Sequence, residues 1–217
     1  TPPTAPLTAI TNTTLLLNMA DGQAIDSAAQ SNLTLYGNAK LSTTQAKFGD
    51  TSIYFDGTGD YAYVYPKYFT FGTGDFTVEF QVYFNSTALQ SILSFLSADD
   101  TVAPHFYYHN SKINFYVGDV GVPIASGTIN TGQWYHVALS RSGTSSKLFI
   151  DGTQAGNTYS DSNNYVAGPL SLGTYKWPTP STASMLNGYI DEVRISKTAR
   201  YTSNFTAPSE PFADKGQ

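Results

Sequence analysis

From Phe76 to Phe84 the chain alternates without a break: Phe76, Val78, Phe80, Val82 and Phe84 are apolar, and Thr77, Glu79, Gln81 and Tyr83 stand between them. A period of two is that of a β-strand with one buried face, and a helix would scatter these five side chains around its axis. The segment predicts a strand with one core face and one polar face. Shorter strands are expected at Leu15–Leu17, Leu33–Tyr36, Ser52–Phe55 and Tyr61–Tyr65. Others follow at Ser91–Phe95, Phe106–Tyr108, Ile113–Val117, Trp134–Ser140, Lys147–Ile150 and Gly188–Ser196. Between Ser52–Phe55 and Tyr61–Tyr65 lies Asp56-Gly57-Thr58-Gly59-Asp60, a tight turn of residues that tolerate positive φ. Residues 21 to 31 read as a loop, and no segment shows a convincing amphipathic helical period. Strands punctuated by turn signals every ten or so residues predict an all-β, antiparallel two-sheet jelly-roll sandwich in one domain.

Composition supports a globular β protein and removes several functions. Of 217 residues, 41% are hydrophobic and only 12% charged, with 16 Tyr and 13 Phe, so a sizeable core and β-prone aromatics are both present. The net charge of -5, with 11 Lys plus Arg that do not cluster, gives no footprint for a phosphate backbone, and nucleic acid is not expected as a partner. The absence of cysteine removes disulfides, thiol nucleophiles and Cys-based zinc sites. No stretch approaches the roughly 20 apolar residues of a membrane span, so membrane insertion is not expected. The opening Thr1-Pro2-Pro3-Thr4-Ala5-Pro6 has no initiator Met and no apolar signal core, and reads as a linker at the start of a processed or excised piece.

Five motifs then accumulate in order: Phe48-Gly49-Asp50-Thr51-Ser52-Ile53-Tyr54-Phe55-Asp56-Gly57, Gly74-Asp75-Phe76-Thr77-Val78-Glu79-Phe80, Gly132-Gln133-Trp134-Tyr135-His136-Val137-Ala138, Leu148-Phe149-Ile150-Asp151-Gly152 and Asn187-Gly188-Tyr189-Ile190-Asp191-Glu192-Val193-Arg194-Ile195. In this order and spacing they resemble the concanavalin A-like, laminin G-like jelly-roll modules, from about Leu15 to Ser196. The resemblance implies a jelly-roll domain over 14–197, between a Pro/Thr-rich linker over 1–13 and a polar, Pro-containing C-terminal extension over 198–217 that drapes over the body or leads out as a linker. It also implies that the motifs are architectural, with Trp134 a core residue. The scaffold carries lectins, adhesion modules and accessory domains of glycosidases, so it specifies fold better than function.

Asp191 is the first candidate for chemistry. Strand parity puts it with Tyr189, Val193 and Ile195, and no basic residue shares that face locally. A carboxylate beside core side chains is costly unless something pairs with it, which leaves a bound cation or a position at the sheet rim, in water or capping a loop. The resemblance implies a calcium ion (Ca2+) between the loop after the first strand and the start of the last. Asp191 matches the acidic position of the last strand, and Asp21 and Asp26 lie in the first loop. Asp56 and Asp60 are competing ligands, or serve only their turn. Calcium takes six to eight oxygens, which carboxylates and loop carbonyls supply.

Catalysis is not expected. Glucanases on this fold carry three acids at alternating positions of a short strand, and no Glu-x-Asp-x-x-Glu pattern exists here. Glu79 stands alone, and Asp191 and Glu192 point to opposite faces, so neither provides the pair of carboxylates roughly 5 to 9 Å apart that glycoside hydrolysis needs. His105, His109 and His136 read as structural.

Binding is carried best by the loop Gly173-Thr174-Tyr175-Lys176-Trp177-Pro178, where Trp177 and Tyr175 would present aromatic faces to a sugar. Tyr107, Tyr108 and Asn164 are further candidates. Two functions stay open: a non-catalytic extracellular module recognising glycan or another cell-surface ligand, and a structural component of a virion or extracellular assembly, such as a fibre, decoration or surface-layer module that meets other copies or neighbouring domains. Either places the chain outside the cell, at a cell surface or on a virion.

Overall fold

The structure, a computed structural model, describes residues 33–96, 102–118, 120–166, 168–175 and 178–212, with the backbone alone at 13–18, 25–26 and 65–68. In chain order the strands are β1 (Thr13–Asn18), β2 (Ile25–Asp26), β3 (Leu33–Tyr36), β4 (Lys40–Ser42), β5 (Ser52–Asp56), β6 (Tyr61–Phe69), β7 (Phe76–Phe84) and β8 (Gln90–Ser94). They continue as β9 (His105–His109), β10 (Lys112–Val117), β11 (Gly121–Ala125), β12 (Trp134–Ser142), β13 (Ser145–Ile150), β14 (Thr153–Ser160), β15 (Gly168–Leu172) and β16 (Asn187–Ser196). The helical content of the described residues is one 3-10 turn at Thr182–Ser184. None of their helices is long and apolar enough to cross a membrane.

These strands form an all-β jelly-roll sandwich of two antiparallel sheets. Nine strands make one sheet, in the order β14-β13-β12-β7-β16-β1-β2 with β5 beside β16 and β4 beyond it, and seven make the other, in the order β11-β10-β9-β8-β15-β6-β3. The apolar residues of β7 lie at its centre, fully buried, and Phe80 meets Phe106 of the opposite sheet edge-on at 5.4 Å while Phe84 meets Tyr108 at 4.6 Å. The core is the layer between the sheets, built from the inward-facing residues of the described strands, among them Ile53, Val64, Phe80, Phe106, Phe115, Leu139 and Leu172.

The expected polar face of β7 is not in water. Thr77, Glu79 and Gln81 are fully buried because residues 197–212 cross the outer face of the nine-stranded sheet as a strap. Thr77 holds it at both the Thr198 carbonyl (2.8 Å) and the Arg200 N–H (2.9 Å), Gly152 accepts the Phe205 N–H (2.9 Å), and Glu192 accepts the Phe212 N–H (2.7 Å). Under the strap, Glu79 accepts hydrogen bonds from Arg194 (2.7 Å) and Tyr201 (2.9 Å) and lies 3.2 Å from His136 Nε2. Residues 198–212 are thus part of the folded body, with Phe212 only 2% exposed.

The parity expected around Asp191 is broken by a β-bulge. Gln81 faces Asp191 but Glu79 faces Arg194, one residue further on than strict alternation allows, and Glu192 at φ 50 takes up the extra residue. Tyr189, Asp191 and Arg194 therefore share the outer face with Tyr83, Gln81 and Glu79, while Val193 and Ile195 point into the core. Asp191 does not lie beside Val193 and Ile195.

Candidate functional site

One cross-strand row runs over the outer face of the seven-stranded sheet with a single residue from each of six strands: Thr34, Tyr63, Ser171, Ser94, His105 and Tyr116. Residues two along their strands stay on the same face, which adds Tyr36 and Tyr61 at one end and Tyr107 and Asn114 at the other, where Ser91, three residues before Ser94 across a register shift in β8, pairs with Tyr107. Small serines thus occupy the middle of the face and aromatic side chains both flanks.

On the first flank Tyr36 stacks on Tyr61 at 4.7 Å and meets Tyr63 edge-on at 5.7 Å. On the second, His105 is the hub: Tyr107 lies 5.5 Å from its ring, Tyr116 6.0 Å and Tyr175 5.3 Å, the last nearly parallel to it at 28°. Tyr175 reaches His105 from the turn after β15. Gly173 sits there at φ 75, and a Cβ on it would lie 2.7 Å from the Phe55 ring, so only glycine lets the chain turn back over the sheet. The returning segment is tied down by Leu186 N–H to Gly173 O (2.9 Å) and by the hydroxyls of Ser184 and Ser91 (3.2 Å).

The face is aromatic and uncharged along these rows. Tyr36 is exposed, Tyr61, Tyr107, Tyr116 and Tyr175 are half-buried, and Ser94, Ser171 and His105 are buried. Burial pushes the His105 imidazole down to about 3, which keeps it neutral at physiological pH. Burial, and then the neighbouring Tyr116, raises the Tyr107 phenol; burial, and then Tyr61 and Tyr36, raises that of Tyr63. Half-buried ring faces with phenol, amide and imidazole groups between them can stack on the C–H faces of sugars and hydrogen-bond their hydroxyls. The two rows carry no carboxylate, so they supply no acid–base pair for hydrolysis.

Tyr175 and Tyr107 are brought together by this arrangement. Tyr108 is not a surface contact: period-two alternation in β9 turns it inward, where it is fully buried and donates to the Ile129 carbonyl (3.3 Å). Asn164 is exposed but precedes β15, at the far end of that strand from Tyr175. Trp177 lies outside the described residues. Trp134, expected in the core, is half-buried on the outer face of the other sheet, packed on Tyr83 at 5.6 Å.

The acids behave as structural anchors. Asp191 is 1% exposed, and its carboxylate accepts the backbone N–H groups of Lys47 (2.9 Å), Phe48 (3.2 Å) and Glu192 (2.9 Å). Burial pushes it up to about 6 despite those three donors. Asp60 joins two turns by accepting from Asn38 (2.5 Å) and Asp56 (2.9 Å), and Asp56 caps Thr58 (2.7 Å). Asp21 and the Asp26 side chain lie outside the described residues. Among the described residues no three acidic or histidine side chains converge as a metal site, and the three described acids of the expected calcium set do not by themselves make a cage.

His105, Tyr116, Tyr36, Tyr61 and Tyr63 belong to the same face and are not singled out as binding candidates by the sequence. The available signal was parity: in β6, β9 and β10 the amphipathic aromatics occupy the positions out of phase with Ala62, Val64, Phe106, Ile113, Phe115 and Val117, which are core.

The chain belongs to the concanavalin A-like lectin/glucanases superfamily, whose laminin G-type family model matches residues 56–203. No curated protein matches it. Among solved structures it is similar to domain 4 of a GH43 extracellular arabinanase from Geobacillus stearothermophilus in complex with arabinotriose, with a TM-score of 0.64 and 16% identity, over 87% of this chain and 93% of that one. It is also similar to the botulinum neurotoxin serotype D binding domain (TM-score 0.65, 16% identity, 87% of this chain, 49% of that one). A third is a Trypanosoma rangeli sialidase in complex with 2,3-difluorosialic acid (TM-score 0.63, 13% identity, 90% of this chain, 34% of that one). At these identities the likeness is one of fold.

Proposed function

We propose that this chain is a non-catalytic extracellular module that binds glycan across the outer face of its seven-stranded sheet. The observation that carries the proposal is the gathering of Tyr107, Tyr116 and Tyr175 around His105, half-exposed on a β face, with no carboxylate in the rows they belong to. Aromatics left half in water on a sheet whose other side is a full core do little for stability and much for a stacking ligand. The arabinanase domain of the same fold, seen with arabinotriose, lends support.

The test is a glycan array probed with the wild-type chain and with Tyr107→Ala and Tyr175→Ala. Retention by the wild type and loss of signal in both variants, with unchanged circular dichroism, is expected. A blank array for the wild type would overturn glycan binding and favour a part in an assembly. Binding untouched in both variants would move the site elsewhere.

A further inference from the structure

The buried row beneath these aromatics carries two polar atoms with nothing to bond. His105 Nε2 and Ser171 Oγ are both inaccessible to water and have no hydrogen-bond partner, although His105 is 7% exposed and Ser171 not at all. Both belong to the Tyr63–Ser171–Ser94–His105–Tyr116 row, separated by Ser94 alone, whose own hydroxyl accepts the Leu96 N–H (3.1 Å). Buried polar groups are almost always paired, and an orphan is destabilising by its full desolvation cost. Two orphans in one row of the face that carries the aromatic cluster indicate a partner that arrives from outside.

Resting on the glycan reading above, we infer that His105, with Ser171, is the polar reader of this site and that its ligand is an uncharged glycan. A sugar ring takes up the stacking surface of Tyr107, Tyr116 and Tyr175, and its hydroxyls exchange hydrogen bonds with His105 Nε2 and Ser171 Oγ. Both atoms are desolvated and unpaired but closed to a water-sized probe, so a hydroxyl reaches them only when the Tyr175 ring stacked on His105 moves aside, and it then gains a hydrogen bond without displacing another partner. The rows hold no Lys or Arg among Thr34, Tyr63, Ser171, Ser94, His105, Tyr116, Tyr36, Tyr61, Ser91, Tyr107 and Asn114, and a neutral imidazole adds no positive charge. Lys112, opposite His109 and two residues beyond Asn114, is exposed on this face but stands four residues along β10 from Tyr116, so a uronate or sialate carboxylate seated over His105 would be desolvated without a counter-charge in contact, and acidic sugars are disfavoured there.

The experiment is calorimetric titration of the full 217-residue chain with arabinotriose, cellotriose and mannotriose as neutral probes and trigalacturonate and sialyllactose as acidic ones, paired with thermal melts. His105→Phe keeps the ring that stacks on Tyr175 and removes the orphan nitrogen. It should weaken the best neutral probe about tenfold, the worth of one hydrogen bond, while leaving the melting temperature equal or higher. His105→Gln should recover part of the affinity. If His105→Phe does not fold, Ser171→Ala carries the same expectation. Wild-type binding that depends on Tyr107 and Tyr175 but is unchanged in His105→Phe and Ser171→Ala overturns this inference and leaves the glycan reading standing. Tighter binding of the acidic probes also overturns it. Absence of binding to every probe overturns both.

Discussion

Glu79→Gln is the most informative single substitution for the architecture. The Glu79 carboxylate is fully buried between β7 and the strap, and burial alone would raise it. The hydrogen bond from His136 and then the charge of Arg194 outweigh that and hold it down at about 2, against an ordinary value of 4.5. A folded value below the unfolded one means that ionised Glu79 stabilises the fold above about pH 4.5, and that the contribution disappears as pH falls through 2. The gap is worth about 3 kcal/mol, at 1.36 kcal/mol per pH unit. Glutamine keeps the shape and one acceptor but leaves Arg194 and Arg200 without their counter-charge. The expected loss at pH 7 is about 3 kcal/mol, a fall of roughly 6 to 12 °C in melting temperature for a domain of this size. By pH 3 the wild type itself retains less than half of that contribution, so the two proteins should converge. Urea denaturation at pH 7 and pH 3 measures both differences. Equal stability of the two proteins at pH 7, or a deficit that does not shrink on acidification, would refute the reasoning.

Asp191 works in the opposite sense: its folded value of about 6 lies above the ordinary 3.8, so the stability it contributes is complete below 3.8 and is lost as pH rises through 6. Asp191→Asn should therefore compare more favourably with the wild type at pH 7 than at pH 4.5, by about 2 kcal/mol, in melts at the two values. Because backbone donors already occupy the Asp191 carboxylate, the melting temperature should be the same in calcium and in EDTA; a fall in EDTA restored by calcium and not by magnesium would show a cation site that draws on further acids such as Asp21 or Asp26. Tyr108→Phe removes a buried hydrogen bond to Ile129 and should cost about 1 kcal/mol in urea titrations while leaving any glycan affinity unchanged.

The sequence was most legible where a strand has one apolar and one polar face. Phe76–Phe84 and Leu33–Tyr36 appear at the residues expected, because period-two alternation is written in side-chain type. β14 is Thr-Gln-Ala-Gly-Asn-Thr-Tyr-Ser, a sheet edge with little to bury, and β11 carries Pro123 at another edge, so neither shows that alternation. β2 lies within residues 21–31, which read as a loop, and two residues are too few to show a period. The bulge at Glu192 was invisible because it is a backbone event: non-glycine residues seldom take positive φ, and nothing in Asp191-Glu192 announces it. The site was half legible. Tyr175 and Tyr107 could be named singly, but the row linking them to His105 and Ser171 joins strands far apart in the chain, and only sheet order creates it.

The most direct test of the central claim is a two-dimensional amide NMR titration of the chain with the tightest neutral oligosaccharide from the array. Shift changes should concentrate at His105, Tyr107, Asn114, Tyr116, Ser171 and Tyr175, with the outer face of the nine-stranded sheet unmoved. Changes confined to Tyr54, Tyr83, Trp134 and Tyr189 of that opposite sheet would contradict it.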